Sequence, residues 1–388
     1  MREARNQPKP GSRNSEGGLE FWLLGVMEIA WPKRVSHTRV FFSDIAVNME
    51  EKKRHTKRST ILRSVVVHLR DAMDDVRESS AWVASHSSHV LVDSAGIEKV
   101  VGSIGPIPKV EWDFEGIHYF DNGPLTVQYL FVLDALNFCF WPGMLCCLPR
   151  DKDLNYDNLA SGLKAALQND KSVFDADHLQ KITGPQLREL LRWPRPLPLE
   201  DERIRLLHEV GFELERSFDG KASNLVKSCG KSAVKLVALV TRHFPGFRDH
   251  SLYKGHQVFL YKRAQIFIAD LWGAFKGQSY GEFNDIGSIT IMADYIVPAV
   301  LRQLGVLRYS STLASTIEAN SEICPGSEEE VELRACSVHA VEKMRELISA
   351  ERGVGPVALG FWNSMFISAT PSDALNILLS TSYTMVGF

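Results

Sequence analysis

Residues 261–304 read YKRAQIFIADLWGAFKGQSYGEFNDIGSITIMADYIVPAVLRQL, and this stretch decides the fold. Its apolar residues recur at helical spacing, which predicts one helix over 263–275 and a second over 288–304. Val297–Pro298 predicts a break in the second helix, because the residue before a proline avoids the helical conformation. A loop punctuated by glycines joins the two helices.

Outward from this stretch, the helical pattern continues on both sides. Short strands are predicted over 90–92 and 256–261. Further helices are predicted over 97–101, 131–140, 202–218, 232–244 and 331–347, and another begins at Gly184–Pro185. Residues 154–167 form a short amphipathic segment. The count of elements predicts a mainly α, multi-helix globular protein with little sheet.

Composition divides the chain into three segments. Residues 1–70 do not follow a globular pattern and predict a disordered N-terminal extension. Their basic cluster over 52–58 is typical of a solvated face, with a nuclear signal or an RNA-binding arm as the alternative. Residues 71–350 form the predicted globular domain, with a proline-rich linker near 193–200, and residues 351–388 form an atypical C-terminal tail.

The overall composition favours a small-molecule partner. Hydrophobic residues make up 45% of the chain and the net charge is −3, so no basic field exists to hold DNA or tRNA directly. The apolar run 129–148 contains Asp134 and the breaker Pro142–Gly143, which favours a buried core helix over a membrane span. Six cysteines without a CxxC pair predict reduced thiols rather than a zinc site, and hence a reducing, cytoplasmic location.

Three acids stand out because their neighbours are apolar. Asp270 and Asp294 each follow an apolar run, and burying a carboxylate is costly unless it has a partner or a task. A structural ion pair or helix cap, with Lys262 or Arg263 as the partner, stays open for both beside a functional role. Asp285 lies on the glycine-rich loop at a predicted helix start, which is typical either of a catalytic group or of a plain N-cap.

A lone histidine, His118, comes from the separate aromatic loop Gly116–Asp121. It fits either a ligand-contacting role or a satisfied core residue, and the pattern leaves both open. No HExxH, GxSxG, Walker or GxGxxG motif occurs in a supporting context. The residues alone therefore predict a helical pocket of carboxylates and aromatic rings, which is compatible with glycosidic-bond chemistry.

The most specific sequence motifs of the chain are several runs that occur in a fixed order. These runs are Val132–Trp141, Phe244–Asp249, Phe259–Ile266, Ala269–Trp272, Phe283–Ile286, Ala293–Pro298 and Glu330–Ser337. In them the chain resembles the queuosine 5′-phosphate N-glycosylase/hydrolase family, the queuosine salvage proteins, and it is similar to plant members in particular. The resemblance covers about residues 70–350, which is most of the chain.

The resemblance implies an α-rich fold likened to DNA glycosylases, with queuine held in a pocket. It implies that Phe283 stacks on the base, that Asp285 is the catalytic carboxylate and that His118 contacts the base. Alternation in an extended loop would place Phe283 and Asp285 on one side of the backbone. Replacing Asp285 by Asn is then expected to abolish queuine release while the fold survives.

The chemistry of that reaction suggests roles for the remaining charged residues. Hydrolysis of an N-riboside passes through an oxocarbenium-like sugar, which a carboxylate beneath the anomeric carbon stabilises. The cationic amine of queuine favours a second acid, Asp294 or Asp270. The 5′-phosphate favours Lys262 and Arg263 as a basic clamp, with a structural role as the alternative. No metal or redox cofactor is required.

Two competing functions stay open. The family uses a C-terminal Leu-Asp-x-x-Leu-Trp segment whose acid helps hold the ligand, whereas Phe361–Trp362 of this chain has no Asp in that place. This departure keeps a non-catalytic queuine-binding protein open. A DNA base glycosylase is the other alternative, but it needs a basic face and a hairpin turn with two glycines, and residues 304–307 contain one.

Overall fold

The computed structural model describes residues 71–103, 112–113, 116–140, 155–319 and 321–352. The chain divides into two compact units, Met1–His68 and Leu69–Phe388, and the first lies wholly outside the described residues. The predicted N-terminal extension, its basic cluster and the tail from residue 353 onward, with Phe361–Trp362, also lie outside them.

Thirteen helices and two small sheets make up the described part of the chain, so the mainly α class with little sheet is confirmed. The helices are α1 Ala72–His86, α2 Ser94–Ser103, α3 Pro124–Ala135, α4 Tyr156–Asn169, α5 Ala176–Leu179, α6 Gly184–Leu190, α7 Glu200–Phe218, α8 Ala222–Ser228, α9 Ala233–His243, α10 Lys262–Ala274, α11 Ile296–Gln303, α12 Ser311–Glu318 and α13 Glu328–Arg352. The strands are β1 Val90–Val92, β2 His250–Tyr253, β3 His256–Phe259 and β4 Leu307–Tyr309. Both sheets are antiparallel pairs, β1 with β4 and β2 with β3.

The core is built around α3, in which every residue from Thr126 to Ala135 is buried. A helix that is apolar on every face is enclosed by the rest of the protein rather than lying on its surface. Helices α4, α7, α8 and α10 pack against it. The prediction of a buried core helix is confirmed here, and no helix within the described ranges is long and apolar enough to cross a bilayer.

The bounds predicted for this core helix, 131–140, were wrong at both ends. The helix begins earlier, with Pro124 in its first turn, where the missing N–H of proline costs no helical hydrogen bond. It ends at Ala135 because two buried guanidinium groups take over its last carbonyls. Arg263 donates to the Ala135 carbonyl and Arg203 to that of the next residue, each at 2.7 Å.

The helix predicted over 288–304 was wrong in its first half, and α11 begins only at Ile296. Thr290 explains the difference, because its backbone N–H and its hydroxyl both donate to Oε1 of Gln265, at 2.8 and 3.0 Å. These bonds hold the chain in an irregular path before α11. Pro298 lies in the first turn of α11 and causes no break, since a first-turn N–H has no helical partner.

The remaining predicted elements are confirmed to within a few residues. The helices predicted over 97–101, 202–218, 232–244, 263–275 and 331–347 correspond to α2, α7, α9, α10 and α13, and α6 begins at Gly184. The amphipathic segment 154–167 forms most of α4. Both predicted strands are present as β1 and β3. The segment 193–199 forms no helix or strand, as its prolines require, and it buries Leu197 in the main core.

Candidate active site

An ion pair forms where α10 and α11 begin. Lys262 is the first residue of α10, and its Nζ lies 3.7 Å from Oδ2 of Asp294 and donates to the carbonyl oxygen of Asn137 at 3.4 Å. The lysine side chain is 8% exposed and that of Asp294 is 26% exposed, so the carboxylate is the more accessible partner. Burial lowers the pKa of Lys262, and the nearby Asp294 partly opposes this.

The other oxygen of Asp294 is fixed by the backbone of α11. Oδ1 accepts the N–H groups of Ile296, at 2.8 Å, and Val297, at 3.3 Å. Both of the structural roles left open by the sequence, ion pair and helix cap, are therefore present. They hold Oδ2 in one position next to Lys262 while leaving part of the side chain accessible.

Two carboxyl groups, those of buried Asp134 and half-buried Asp270, lie across the contact between α3 and α10. Asp134 is fully buried, and neither of its oxygens has a hydrogen-bond partner in the described part of the chain. Asp270 accepts Nε1–H of Trp112 at Oδ1, at 3.2 Å, while its Oδ2 is buried and has no partner there. A buried acceptor without a donor costs free energy, so these oxygens need an explanation.

Burial makes both acids hard to ionise. It raises the pKa of Asp134 well above its usual value, repulsion from Asp270 adds to the effect, and the nearby Asn137 opposes it without reaching hydrogen-bonding geometry. Burial also raises the pKa of Asp270 to about 7, although the bond from Trp112 works against this. Burial therefore favours the protonated form of both groups, which are called the acid pair below.

His118 is joined to the acid pair through Trp112. The two rings stack with centroids 4.4 Å apart and planes 25° apart. The histidine is buried, and burial lowers its pKa, so the ring is neutral at pH 7. Tyr129 donates its hydroxyl to the carbonyl of Ala160 at 3.2 Å, so the proton in its 3.2 Å contact with Nδ1 of His118 belongs to the histidine. Nε2 of His118 is then an acceptor.

The predicted catalytic residue, Asp285, contacts the start of α9. The Asp285 carboxylate accepts the hydroxyl of Ser232 at 2.6 Å and the backbone N–H groups of Ala233 and Val234 at 2.5 and 3.4 Å. It therefore caps the start of α9, not the helix after Ser288 that the sequence suggested. No hydrogen bond or ion pair links it to the acid pair, Lys262 or Asp294 within the described ranges.

Phe283 is buried and belongs to the main core. Its relation to Asp285 is not that of an extended loop, because residues 284 and 285 form a turn and Asp285 has ψ of 27°. The expected alternation, which would put the two side chains on one side, is therefore wrong. The stacking role predicted for Phe283 and the catalytic role predicted for Asp285 stay predictions.

The two cations predicted to clamp a phosphate point in different directions. Lys262 faces Asp294, whereas Arg263 is buried and donates to the carbonyls of Ala135 and Gly246. The guanidinium of Arg263 also lies 5.0 Å from the ring centroid of Phe138. Arg263 thus supports the end of α3, and Lys262 is the cation that belongs to the site.

Three residues of this site were not predicted from the sequence: Asp134, Trp112 and Tyr129. The sequence carried a signal for Asp134, since it is the one acid in the apolar run 129–148, but this acid was used only as evidence against a membrane span. Trp112 and Tyr129 carry no such signal, because aromatic side chains in apolar runs are ordinary core residues.

One group of described residues has ligands close enough to hold a metal ion, namely His89, Glu328 and Glu332. Glu332 already accepts the backbone N–H groups of residues 88–90 and the hydroxyl of Tyr253. Its lone pairs are therefore committed to joining β1 and the β2–β3 hairpin to α13. This use of the carboxylate favours a structural role for the group.

The helical scaffold thus carries an ion-paired carboxylate, a pair of acids with raised pKa values and a neutral histidine, which are groups typical of acid–base chemistry in small-molecule sites. The sequence pattern described as queuosine salvage protein matches residues 117–365. Proteins named queuosine 5′-phosphate N-glycosylase/hydrolase are also similar to the chain. The one from Dictyostelium discoideum is 42% identical over 285 residues, which is 70% of this chain and 86% of the relative.

Relatives from other organisms carry the same name. The protein of that name from Sphaerobacter thermophilus is 42% identical over 275 residues, covering 70% of this chain and 84% of its own length. The one from Bos taurus is 34% identical over 293 residues, covering 72% and 86%. The chain belongs to the queuosine salvage protein family.

Proposed function

We propose that this protein hydrolyses the N-glycosidic bond of queuosine 5′-phosphate and releases queuine for salvage into tRNA modification. Membership of the family and the shared name of its relatives support this substrate. The observation that carries the proposal is the arrangement of the site. An accessible carboxylate paired with a buried lysine lies near two acids whose pKa values are raised by burial.

On the sugar side, we assign charge stabilisation to Asp294. As the C1′–N bond lengthens, its electron pair moves to the base and positive charge develops on the ribose. Oδ2 of Asp294 is held beside Lys262 and is partly accessible, so it meets this charge without reorganisation. The same oxygen then orients water, which adds hydroxide to C1′ and gives up its second proton.

On the base side, we assign recognition to the acid pair and His118. Queuine is a 7-deazapurine, so the ring position that is protonated when ordinary purines leave is not available. The unpartnered oxygens of Asp134 and Asp270 suit the N–H donors of the base and its cationic amine, and their shared proton is available to the departing base. The proton released by water restores that of the acid pair. Nε2 of His118 accepts one more N–H.

Three predictions from the sequence enter this proposal with different support. Phe283 as a stacking surface is compatible with its buried position, and the described ring that contacts both His118 and Asp270 is that of Trp112. Asp285 remains the competing catalytic carboxylate. For the 5′-phosphate clamp, Lys262 keeps one ammonium donor beyond those facing Asp294 and Asn137, whereas Arg263 donates to the carbonyls of Ala135 and Gly246 and has only a buried Nε–H left without a described partner.

We also propose a cytoplasmic protein whose partner is the nucleotide alone. A net charge of −3 gives no support for direct binding of nucleic acid. The described helices include none that could span a membrane. No metal or redox cofactor is needed for the steps above.

The direct test is incubation of the purified full chain with queuosine 5′-phosphate, with queuine and ribose 5-phosphate followed by mass spectrometry. Release of both products in equal amounts supports the proposal. Binding of queuine measured by calorimetry without any release would support the non-catalytic binder instead. Release of uracil or adenine from DNA, with none from the nucleotide, would support the DNA glycosylase.

A further inference from the structure

We propose that Asp249 and Arg334 are positioning residues that set the geometry of Lys262 and Asp294. Both are buried, at 5% and 4% exposure, and neither belongs to the site described above. Arg334 donates to both carboxylate oxygens of Asp249, at 2.9 and 2.5 Å. This inference rests on the proposed function, because it assigns a role in the same reaction.

Asp249 acts on the lysine side of the ion pair. Its Oδ2 accepts the backbone N–H of Lys262 at 3.0 Å, and its carbonyl oxygen accepts the N–H groups of Leu260 and Tyr261 at 3.0 and 3.1 Å. Tyr261 has a φ of +51°, a left-handed conformation that a side chain disfavours. The contacts with Asp249 hold this turn and thereby fix where α10 begins and where Lys262 points.

Arg334 acts on the aspartate side. Its Nε donates to the carbonyl oxygen of Ala293 at 2.9 Å, which is the residue directly before Asp294. One guanidinium group of α13 is therefore joined, through Asp249, to the backbone of Lys262 and, through its own Nε, to the backbone next to Asp294. Because a guanidinium is planar and rigid, this connection fixes the spacing of two segments that are 32 positions apart in sequence.

The chain supplies a matched control in Glu330. This buried carboxylate accepts a hydrogen bond from the same Arg334, at 3.1 Å, and it lies one helical turn away on α13. Its other described contact is the N–H of Gly326, at 3.3 Å, outside the site. Asp249 and Glu330 thus share burial, charge and partner, and they differ in whether they also touch Lys262.

The experiment compares Asp249→Asn with Glu330→Gln in the full chain, using kcat for queuosine 5′-phosphate, Kd for free queuine and the thermal midpoint. Both variants are expected to lower the thermal midpoint, since each removes a negative charge that pairs with the buried guanidinium of Arg334. Asp249→Asn is expected to lower kcat about 100-fold, as expected for a shift of about 1 Å in a catalytic group. Kd for queuine is expected to stay within about 3-fold, and Glu330→Gln is expected to keep kcat within about 3-fold of the wild type.

Arg334→Lys provides a second measurement, because it keeps the charge but cannot reproduce the rigid bond to Ala293. It is expected to lower kcat as Asp249→Asn does, and this variant decides the matter if Asp249→Asn fails to fold. Equal kcat values for Asp249→Asn and Glu330→Gln, or wild-type kcat in Arg334→Lys, would overturn the positioning role. Absence of queuine release by the wild-type chain would overturn the proposed function instead, so the two failures are distinct.

Discussion

The capping carboxylate of Asp285 and the acid pair of Asp134 and Asp270 show how differently similar acids are used in this molecule. Asp285, on a glycine-rich loop, has three donors at the start of α9. Asp134 and Asp270 interrupt or follow apolar runs, and three of their four oxygens have no donor within the described ranges. Satisfied hydrogen bonds are sufficient reason for a buried acid to exist. Unsatisfied ones require a ligand or a proton, so the accounting of donors favours the acid pair over Asp285 as part of the site.

The largest expected effect is at Asp294, the carboxylate that replaces Asp285 on the sugar side in the proposed reaction. Asp294→Asn is expected to lower kcat about 1,000-fold, because the amide keeps the shape but no longer offers a negative charge to the developing oxocarbenium ion. Binding of free queuine, measured by calorimetry, is expected to change little since the base contacts other residues. A variant that releases queuine at nearly the wild-type rate would remove Asp294 from the sugar side.

The acid pair is expected to show a smaller effect with a different signature. Asp134→Asn replaces one carboxyl oxygen by an NH₂ group, so the site loses an acceptor for the N–H groups of the base. This variant is expected to lower kcat/KM about 100-fold and to weaken queuine binding. Measuring Kd for queuine and kcat separately is the check. Unchanged queuine binding in Asp134→Asn would mean that this buried acid does not contact the base.

The same burial predicts how stability depends on pH. Asp270 has a pKa of about 7 in the folded protein, against a model-peptide value of 3.8 that applies to the unfolded chain. Between these values the unfolded chain ionises and the folded one stays protonated, so the free energy of unfolding falls as the pH rises from about 4 to about 7. Asp270→Asn removes this loss and is expected to be more stable than the wild type at pH 7, by about 1–3 kcal/mol.

Urea unfolding of both proteins at pH 4 and pH 7 checks this. The gain from Asp270→Asn should be present at pH 7 and become small at pH 4, which is close to the unfolded-state pKa of 3.8, so that little of the proton-linked loss has developed. A gain of equal size at both pH values would show that the effect comes from packing. A variant that is more stable and less active would mark the acid pair as a functional site maintained at a cost in stability.

Much of the fold could be predicted from the sequence, because periodic apolar residues report which face of a helix is buried. The failures were local. The ends of α3 depend on Arg203 and Arg263, two residues far away in sequence, and the irregular path before α11 depends on a bond from Thr290 to Gln265. No window of neighbouring residues contains these partners, so tertiary hydrogen bonds overrode the local pattern.

The sequence indicated which types of residue form the candidate site, but not how their side chains are arranged. Apolar surroundings correctly marked Asp270 and Asp294 as acids that need a reason, and the family resemblance indicated the reaction. The sequence could not show that Lys262 and Asp294 meet, because that contact requires α10 and α11 to begin at one place. Nor could it separate a cap from a catalytic group at Asp285, since both are carboxylates at a helix start.

The smallest expected effect separates these two roles at Asp285. Asp285→Asn keeps an acceptor for the N–H of Ala233 and weakens the charged cap of α9, so it is expected to cost about 1 kcal/mol of stability. On this geometry kcat should stay within about 3-fold of the wild type, whereas the assignment from family resemblance expects release to be abolished. Ser232→Ala, which removes another bond to the same carboxylate without touching its charge, is the control. If both variants lose stability alike and keep turnover, the carboxylate is a cap; if Asp285→Asn alone loses turnover, it is the catalytic group and Asp294 is not.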